Sequence, residues 1–149
     1  MSKSNTFEND LLLLVFNNTN ISLVGDATGL RGSTTAGSLF VSLHTADPGE
    51  AGTQSTSEIG YTGYARVAVA RAGGSWAVSG TAPTQVAPVA AVTFGQMTAG
   101  VGGTATHFTI GTDVSGAGKP LYKGTVTPNI VVSNGVTPQL TTTSTITED

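Results

Sequence analysis

Residues 39–53 read LFVSLHTADPGEAGT, a strand pattern that runs directly into a turn. The first six residues alternate between aliphatic and other side chains, the period of two that is typical of a β-strand. Pro48 and Gly49 then predict a turn, because proline presets φ for the second turn position and glycine accepts a positive φ at the third. The stretch therefore predicts a strand that ends at a turn and leads into a polar loop over residues 47–60.

Further segments with alternating or β-branched residues follow, most of them bounded by glycine, proline or asparagine. They cover residues 64–71, 76–78, 90–94, 105–111, 121–126, 129–133 and 136–147. The dipeptides Gly73-Gly74 and Asn134-Gly135 predict hairpin turns between neighbouring strands. About seven or eight strands at this spacing predict an all-β fold, either a β-sandwich or a jelly-roll-like arrangement.

One short helix is predicted near the N-terminus over about residues 5–18, where Asn18 tolerates the left-handed backbone that often ends helices. Asn5 or Thr6 can cap the helix, and Glu8 stands three residues after Asn5 as in a capping box. The spacing i, i+4, i+7 and i+8 predicts one apolar face: Phe7, Leu11, Leu14 and Val15. So short a helix needs a packing partner, either its own sheet or a neighbouring subunit.

The chain of 149 residues contains no cysteine, so neither a disulfide nor a thiolate metal site can form. The net charge is −3 and the basic residues are scattered, so we expect no nucleic-acid partner. The longest apolar run, residues 11–16, is too short to cross a membrane, and the acidic Glu8 and Asp10 before it argue against a signal peptide. We expect a single domain over residues 1–149, with the helix as an N-terminal arm and a flexible loop over about residues 25–38.

Charged residues make up only 10% of the chain, compared with about 25% in typical soluble domains. A chain with so few charges either exposes a neutral, hydroxyl-rich surface or hides much of its surface against partners. Composition leaves both possibilities open, and each of them fits a chain that works by contact rather than by catalysis.

The opening stretch offers three possible metal ligands or catalytic groups, His44, Asp47 and Glu50. Their spacing of three residues would align them on a helix, but Pro48 and Gly49 prevent a helix at this point. Turn chemistry explains the same residues, because Asp47 can accept a hydrogen bond from a backbone N–H two residues on and open an Asx turn. We therefore expect no metal site here and no cofactor in the chain.

Motifs that carry catalysis are missing from the sequence. None of the serines lies in a GxSxG motif, and the segments GVGGTA and GAGKP lack the spacing and residues of a phosphate-binding loop. A hydrolytic or sugar-binding module would need His44 or His107 to face a carboxylate in the fold. We expect instead that the protein is not an enzyme.

Arg66 lies on an alternating segment and shares a face with Tyr64. An exposed Arg66 would suit a bidentate contact with a carboxylate, in cis or across a subunit interface. A solvated charge at the edge of a strand is the alternative. The aromatic residues Tyr61, Tyr64 and Trp76 are expected to pack against strands rather than to stack on sugars or bases.

Several segments together resemble a family of small virion structural proteins from tailed bacteriophages and prophages. They are residues 2–17, 39–71, 97–112 and the terminal TED. The most specific part is SLHTADPGEAGTQ, followed a few residues later by YTGYARVAV. Proteins of this family are often labelled tail fibre proteins, and the sequence is also similar to cement or decoration proteins of phage heads.

The resemblance implies a virion structural protein with no catalytic motif. The first expectation is a capsid cement or decoration protein that bridges capsid subunits, and the alternative is a tail-associated structural or tail fibre, receptor-binding protein. Expected partners are the major capsid protein and further copies of the chain, with no membrane contact and with assembly in the host cytoplasm. The candidate interface residues are Phe7, Leu11, Leu14, Val15, Asp47, Glu50 and Arg66.

Overall fold

A computed structural model describes residues 3–81 and 83–148, which form antiparallel sheets and one helix. The elements are α1 (Asn5–Asn17), β1 (Ser38–His44), β2 (Val67–Ala70), β3 (Trp76–Ser79), β4 (Thr84–Pro88), β5 (Val92–Thr93), β6 (Gly103–Gly111), β7 (Pro120–Val132), β8 (Gln139–Leu140) and β9 (Ile146–Glu148). The sheet orders are β2-β1-β6-β7, β3-β4-β9 and β5-β8. The predicted all-β class with a short N-terminal helix is confirmed, and the three antiparallel sheets are consistent with a sandwich.

The packing of the chain defines two compact units. The first comprises Met1–Ser38, Ala70–Ala90 and Thr141–Asp149, and the second comprises Leu39–Val69 and Ala91–Leu140. Each unit therefore contains segments that are far apart in sequence. A single domain over residues 1–149 stays a prediction.

Helix α1 packs on the β3-β4-β9 sheet of the first unit. Leu12 and Phe16 are fully buried, and the Phe16 ring meets Trp76 edge-on with ring centroids 4.9 Å apart. Of the two packing partners that the sequence left open, the helix's own sheet and a neighbouring subunit, this stripe uses its own sheet and belongs to the core of the unit. The description of the helix as an N-terminal arm stays a prediction. The face predicted from the sequence lies beside the buried stripe and is more exposed.

The two ends of α1 differ in how well the sequence predicted them. Ser4 is the N-cap, accepting a hydrogen bond from the Phe7 N–H at 3.3 Å, so the prediction of Asn5 or Thr6 was wrong by one or two positions. Asn18 ends the helix with a left-handed φ of +57°, as predicted. The helix therefore begins at Asn5 itself, with the residue before it as the N-cap.

Both predicted hairpins are wrong. Strand β3 pairs with β4 instead of β2, and β8 pairs with β5 instead of β7. The turns themselves exist: Ser75 N–H donates to the Ala72 carbonyl at 2.8 Å, and Val136 N–H donates to the Ser133 carbonyl at 2.9 Å. A dipeptide can set a turn, but the burial of each strand's face decides which strand it pairs with.

The four-stranded sheet of the second unit has two buried faces around β1. Register pairs Val41 with Ile110 and Leu43 with Phe108, so these four apolar side chains share one face. The other face carries Ser42 opposite Thr109 and His44 opposite His107. Buried polar side chains on a central strand require partners. Ser42, His44 and Thr109 bond to one another, and His44 also contacts the loop that follows β1.

Strand β7 is the outer strand of this sheet, with β6 as its neighbour among the described residues. Its register breaks in the middle: His107 pairs with Thr125, but Ala105 pairs with Ile130. Residues 126–129 therefore stand opposite Thr106 alone, so the strand bulges there.

Candidate interaction surface

A buried polar cluster lies under the loop that follows β1. His44, Ser42 and Thr109 are fully buried, and their side chains form a triangle with contacts of 2.6, 3.0 and 3.1 Å. His44 Nδ1 lies 2.9 Å from the Thr56 carbonyl oxygen. Since a carbonyl can only accept, the Nδ1–H donates to Thr56 and Nε2 faces the two hydroxyls.

This arrangement gives His44 a structural role. Its ring nitrogens contact Thr56, Ser42 and Thr109, and no carboxylate lies within hydrogen-bond distance of either nitrogen among the described residues. Burial lowers the pKa of His44 below its ordinary value of 6.5. The neutral imidazole therefore holds the loop onto the sheet.

Gln54 anchors the same loop a second time. Its buried side-chain amide donates to the Phe40 carbonyl at 3.1 Å and accepts from the Asp113 N–H at 3.0 Å. Its backbone N–H donates to the Gly118 carbonyl at 2.8 Å. Gly111 and Gly118 pack so closely on this side chain that a Cβ on either glycine would collide with it. The position of Gln54 thus depends on glycines that lie far away in the sequence.

Arg66 forms the third anchor, through a bidentate contact with a carboxylate, one of the two alternatives that the sequence left open. Its Nε and Nη2 donate to the two carboxylate oxygens of Glu58 at 2.8 and 2.7 Å. The guanidinium also donates to the carbonyls of Asp113 at 2.9 Å and Gly116 at 2.6 Å. Tyr64 completes the cluster, because its hydroxyl donates to Glu58 at 2.9 Å and accepts from the Leu43 N–H at 3.0 Å.

The partners of Arg66 decide between the alternatives left open by the sequence. Arg66 is only 7% exposed, so the interpretation as a solvated edge charge is wrong. The carboxylate comes from the same chain, and the hydrogen bonds to Glu58 raise the pKa of Arg66. Burial raises the pKa of Tyr64, so the phenol stays protonated as a donor to Glu58. Arg66 is therefore an internal clamp, and its guanidinium is not presented to a neighbouring subunit.

Asp47 and Glu50 meet Lys123 rather than His44. The Lys123 ammonium lies 3.0 and 3.2 Å from the carboxylate oxygens of Asp47 and 2.9 Å from Glu50 Oε1. Asp47 also accepts from the Gly49 N–H at 2.8 Å, the predicted Asx turn, and Gly49 has the predicted positive φ of +74°. The Gly49 N–H and then Lys123 lower the pKa of Asp47, while Glu50 and Asp47 raise the pKa of Lys123.

A surface groove of about 190 Å³ opens beside this ion pair. It is lined by Gly49, Glu50, Gly52 and residues 119–123. The groove combines carboxylate, ammonium and backbone groups with the partly exposed Leu121. This mainly polar lining suits contact with a polar surface of another protein. It is the candidate interaction surface of the second unit.

Residues 3–81 and 83–148 contain neither a metal-binding cluster nor a helix that could span a membrane. Over these residues, no group of three or more histidine, aspartate and glutamate side chains is placed to hold a metal ion. Within the same ranges, no helix is both long enough and apolar enough to cross a membrane.

The predicted interface residues are divided between the two units. Phe7 is 38% exposed on α1, and Leu11, Leu14 and Val15 are half-buried beside it in the first unit. Asp47 and Glu50 are exposed in the second unit, and Arg66 is buried. Contacts of the six accessible residues with another chain stay a prediction.

Sequence reasoning missed the residues that organise the loop, namely Gln54, Glu58, Thr109 and Lys123. Glu58 and Lys123 were findable as charges, since a chain with six basic residues has few partners for each carboxylate. Gln54 had no local signal, because its burial depends on Gly111 and Gly118.

Comparison with known families gives a match over nearly the whole chain. The family model described as Podophage GP4 fiber I protein gp80 matches residues 2–147. Comparison with curated proteins gives no match. The matched range includes both units, all three loop anchors and the groove.

Proposed function

We propose that this chain, which belongs to the podophage GP4 fiber I protein gp80 family, is a structural component of a phage tail fibre. The family match over residues 2–147 is the observation that carries the proposal. The family is one of phage virion structural proteins, and its description names a fibre. The tail fibre alternative is therefore preferred to the capsid cement role that was expected first.

The use of the reactive side chains supports a structural role. His44 is enclosed by Ser42, Thr109 and the Thr56 carbonyl, and Arg66 is committed to Glu58. Side chains that an enzyme would direct toward a substrate here form hydrogen bonds that fix the loop after β1 to the sheet. We therefore propose that the protein is not an enzyme and that it acts through its surfaces.

The low charge content supports function by contact with other virion proteins. With charged residues at 10% of the chain, neighbouring subunits can approach without large desolvation costs. We propose that the partners are other virion proteins and further copies of the chain, rather than nucleic acid or membrane, and that the virion is assembled in the host cytoplasm. A cement role would instead require the major capsid protein as the partner.

Location and copy number in purified virions test the proposal. Immunogold labelling with an antibody to the chain should place the label on the tail, and quantitative mass spectrometry should give far fewer copies than the major shell protein. Label distributed over the head, with copy numbers comparable to the shell protein, would instead establish the cement role. The major shell protein and a known tail protein serve as internal standards for the two locations.

A further inference from the structure

The dipeptide Asn134-Gly135 is the position of the chain most prone to spontaneous chemical change. Asparagine is a thermolabile residue, and the glycine after it has no side chain to hinder attack by its own backbone nitrogen. In deamidation a bond forms between the Gly135 nitrogen and Asn134 Cγ, the bond from Cγ to the amide nitrogen breaks, and ammonia leaves with the proton of the Gly135 nitrogen. Water then opens the cyclic imide at either carbonyl, which leaves aspartate or isoaspartate. Both residues are exposed, so water reaches the site.

The turn around this dipeptide has a shape that opposes the attack. The Val136 N–H donates to the Ser133 carbonyl at 2.9 Å, and φ is +85° at Gly135 but not positive at Asn134. This combination defines a type II turn, in which ψ of the second residue is about +120°. Ring closure in an L-residue requires a negative ψ, because Cβ and the next nitrogen must lie on the same side of the Cα–C bond. The Gly135 nitrogen therefore lies on the wrong side of this bond for attack.

The segment of Gln96 and Met97 holds the turn in this shape. The Gly135 N–H donates to the Met97 carbonyl at 2.8 Å, and the Met97 N–H donates to the Val136 carbonyl at 2.9 Å. The side-chain amide of Gln96 donates to the Gly135 carbonyl at 2.8 Å. Met97 is only 3% exposed, so these tethers are fixed in the core of the second unit. Reversing ψ of Asn134 turns over the peptide group that carries the Gly135 N–H and so breaks its bond to Met97.

We propose that Gln96 and Met97 protect Asn134 from deamidation by keeping the Gly135 nitrogen out of reach. The site then reacts only when the turn opens, and opening is rarer when more hydrogen bonds must break. Gln96 is a positioning residue, because it acts through Gly135. The inference goes beyond the proposed function and does not depend on it. In a virion component, which is not replaced after assembly, such protection limits damage that would otherwise accumulate.

Incubation of the full purified chain at mildly alkaline pH tests the protection. Peptide mapping by mass spectrometry follows aspartate and isoaspartate at position 134 over several weeks. Deamidation of Asn134 in the folded wild type should be at least about tenfold slower than in the same chain unfolded in guanidinium chloride, because opening is rare in the native state. Equal rates in the folded and unfolded chain would overturn the inference, and this comparison does not require any variant to fold.

Gln96→Glu tests the side-chain tether. The variant keeps the size of the side chain but loses the N–H donor, so deamidation of Asn134 should be about fivefold faster, the effect of one net hydrogen bond on local opening. Gln139→Glu is the matched control, because Gln139 is also exposed in the second unit but donates to Thr93 at 2.9 Å rather than to the turn. A wild-type rate in Gln96→Glu, or an equal increase in Gln139→Glu, would overturn the role of Gln96.

Hydrogen exchange separates opening of the turn from general destabilisation. In Gln96→Glu the Gly135 N–H should exchange faster by the same factor as deamidation, while the amides of β6 keep their wild-type rates. Equally faster exchange in β6 would assign the effect to the stability of the whole unit and would overturn the tether.

Discussion

Arg66 and Arg71 lie five residues apart in the sequence, yet each organises a different unit in a different way. Arg66 is balanced by the carboxylate of Glu58. Arg71 binds neutral acceptors: the carbonyls of Leu14, Val15 and Ala36 at 2.7, 2.7 and 3.1 Å and the Ser33 hydroxyl at 3.2 Å.

The difference shows two ways to use one kind of side chain. Two acceptors of Arg71 are in the last turn of α1, where unpaired carbonyls carry partial negative charge, so a cation there caps the helix. Arg66 instead forms a buried ion pair that is costly to break from either side. Loss of Arg71 should therefore destabilise the first unit less than loss of the Glu58 charge destabilises the second unit.

The largest expected effect is that of Glu58→Gln. Removing this charge leaves the buried guanidinium of Arg66 without a counterion, so the free energy of unfolding should fall by about 3 kcal/mol. Urea denaturation followed by tryptophan fluorescence and circular dichroism measures the change. Glu50→Gln is the control, because Glu50 is 92% exposed and its loss should leave the unfolding midpoint unchanged. A Glu58→Gln variant as stable as this control would show that the ion pair between Arg66 and Glu58 does not stabilise the second unit.

A smaller effect is expected for Arg71→Met. The variant keeps much of the aliphatic packing but loses hydrogen bonds to acceptors that water can partly replace, so the cost should be about 1.5 kcal/mol. Hydrogen exchange should show faster exchange in the last turn of α1. Arg31→Met, an exposed arginine of the same unit, should not change exchange there. If Arg71→Met costs more than Glu58→Gln, the ranking of the two arginine sites is reversed.

Acid should weaken the second unit, because this unit contains the buried His44. Burial lowers the pKa of His44 in the folded chain, so the unfolded chain binds protons more readily below pH 6.5. The stabilisation is therefore full above that pH and is lost as the pH falls, by up to about 1.4 kcal/mol per pH unit for one proton. Unfolding midpoints at pH 7.5 and 5.5 measure the loss. His44→Gln should flatten the dependence, and an unchanged slope in this variant would assign the acid sensitivity elsewhere.

The smallest effect is expected for Lys123→Met. The ammonium is held by Asp47 and Glu50 at the surface, where ion pairs are screened by water and salt. The unfolding midpoint should be unchanged in the presence of salt, whereas affinity for a virion partner should fall if the groove is the contact surface. A clear loss of stability would show that the loop after β1 needs this surface pair as well as its buried anchors.

The sequence predicted the features that depend on neighbouring residues. Strand β1 and the Asx turn at Asp47 were predicted correctly, because alternation and turn chemistry act over a few residues. Long-range choices were not predictable in the same way. Gln54 lies in the segment predicted as a polar loop. Its close packing against Gly111 and Gly118 could not be predicted from neighbouring residues. Strand β4 pairs with both β3 and β9, but it was not predicted, because Pro83 and Pro88 lie at its two ends.

The candidate surface shows the same difference between local features, which the sequence predicted, and long-range partners, which it did not. Asp47 and Glu50 were named from the sequence, but their partner Lys123 is more than seventy residues away and was not. A carboxylate contact was one of two alternatives left open for Arg66, and both that choice and the choice between its own chain and a neighbour required the position of Glu58. A residue's chemistry can be predicted from its type, whereas the identity of its partner depends on the fold.

The break in β7 has a consequence for how the chain behaves before assembly. An outer strand with an unbroken row of free N–H and C=O groups would let copies add edge to edge and precipitate as continuous sheets. The register of β7 is split into residues 120–125 and 130–132, and Pro128 between them has no N–H to donate. Neither segment of β7 therefore offers a second copy a long continuous edge on which to add a strand.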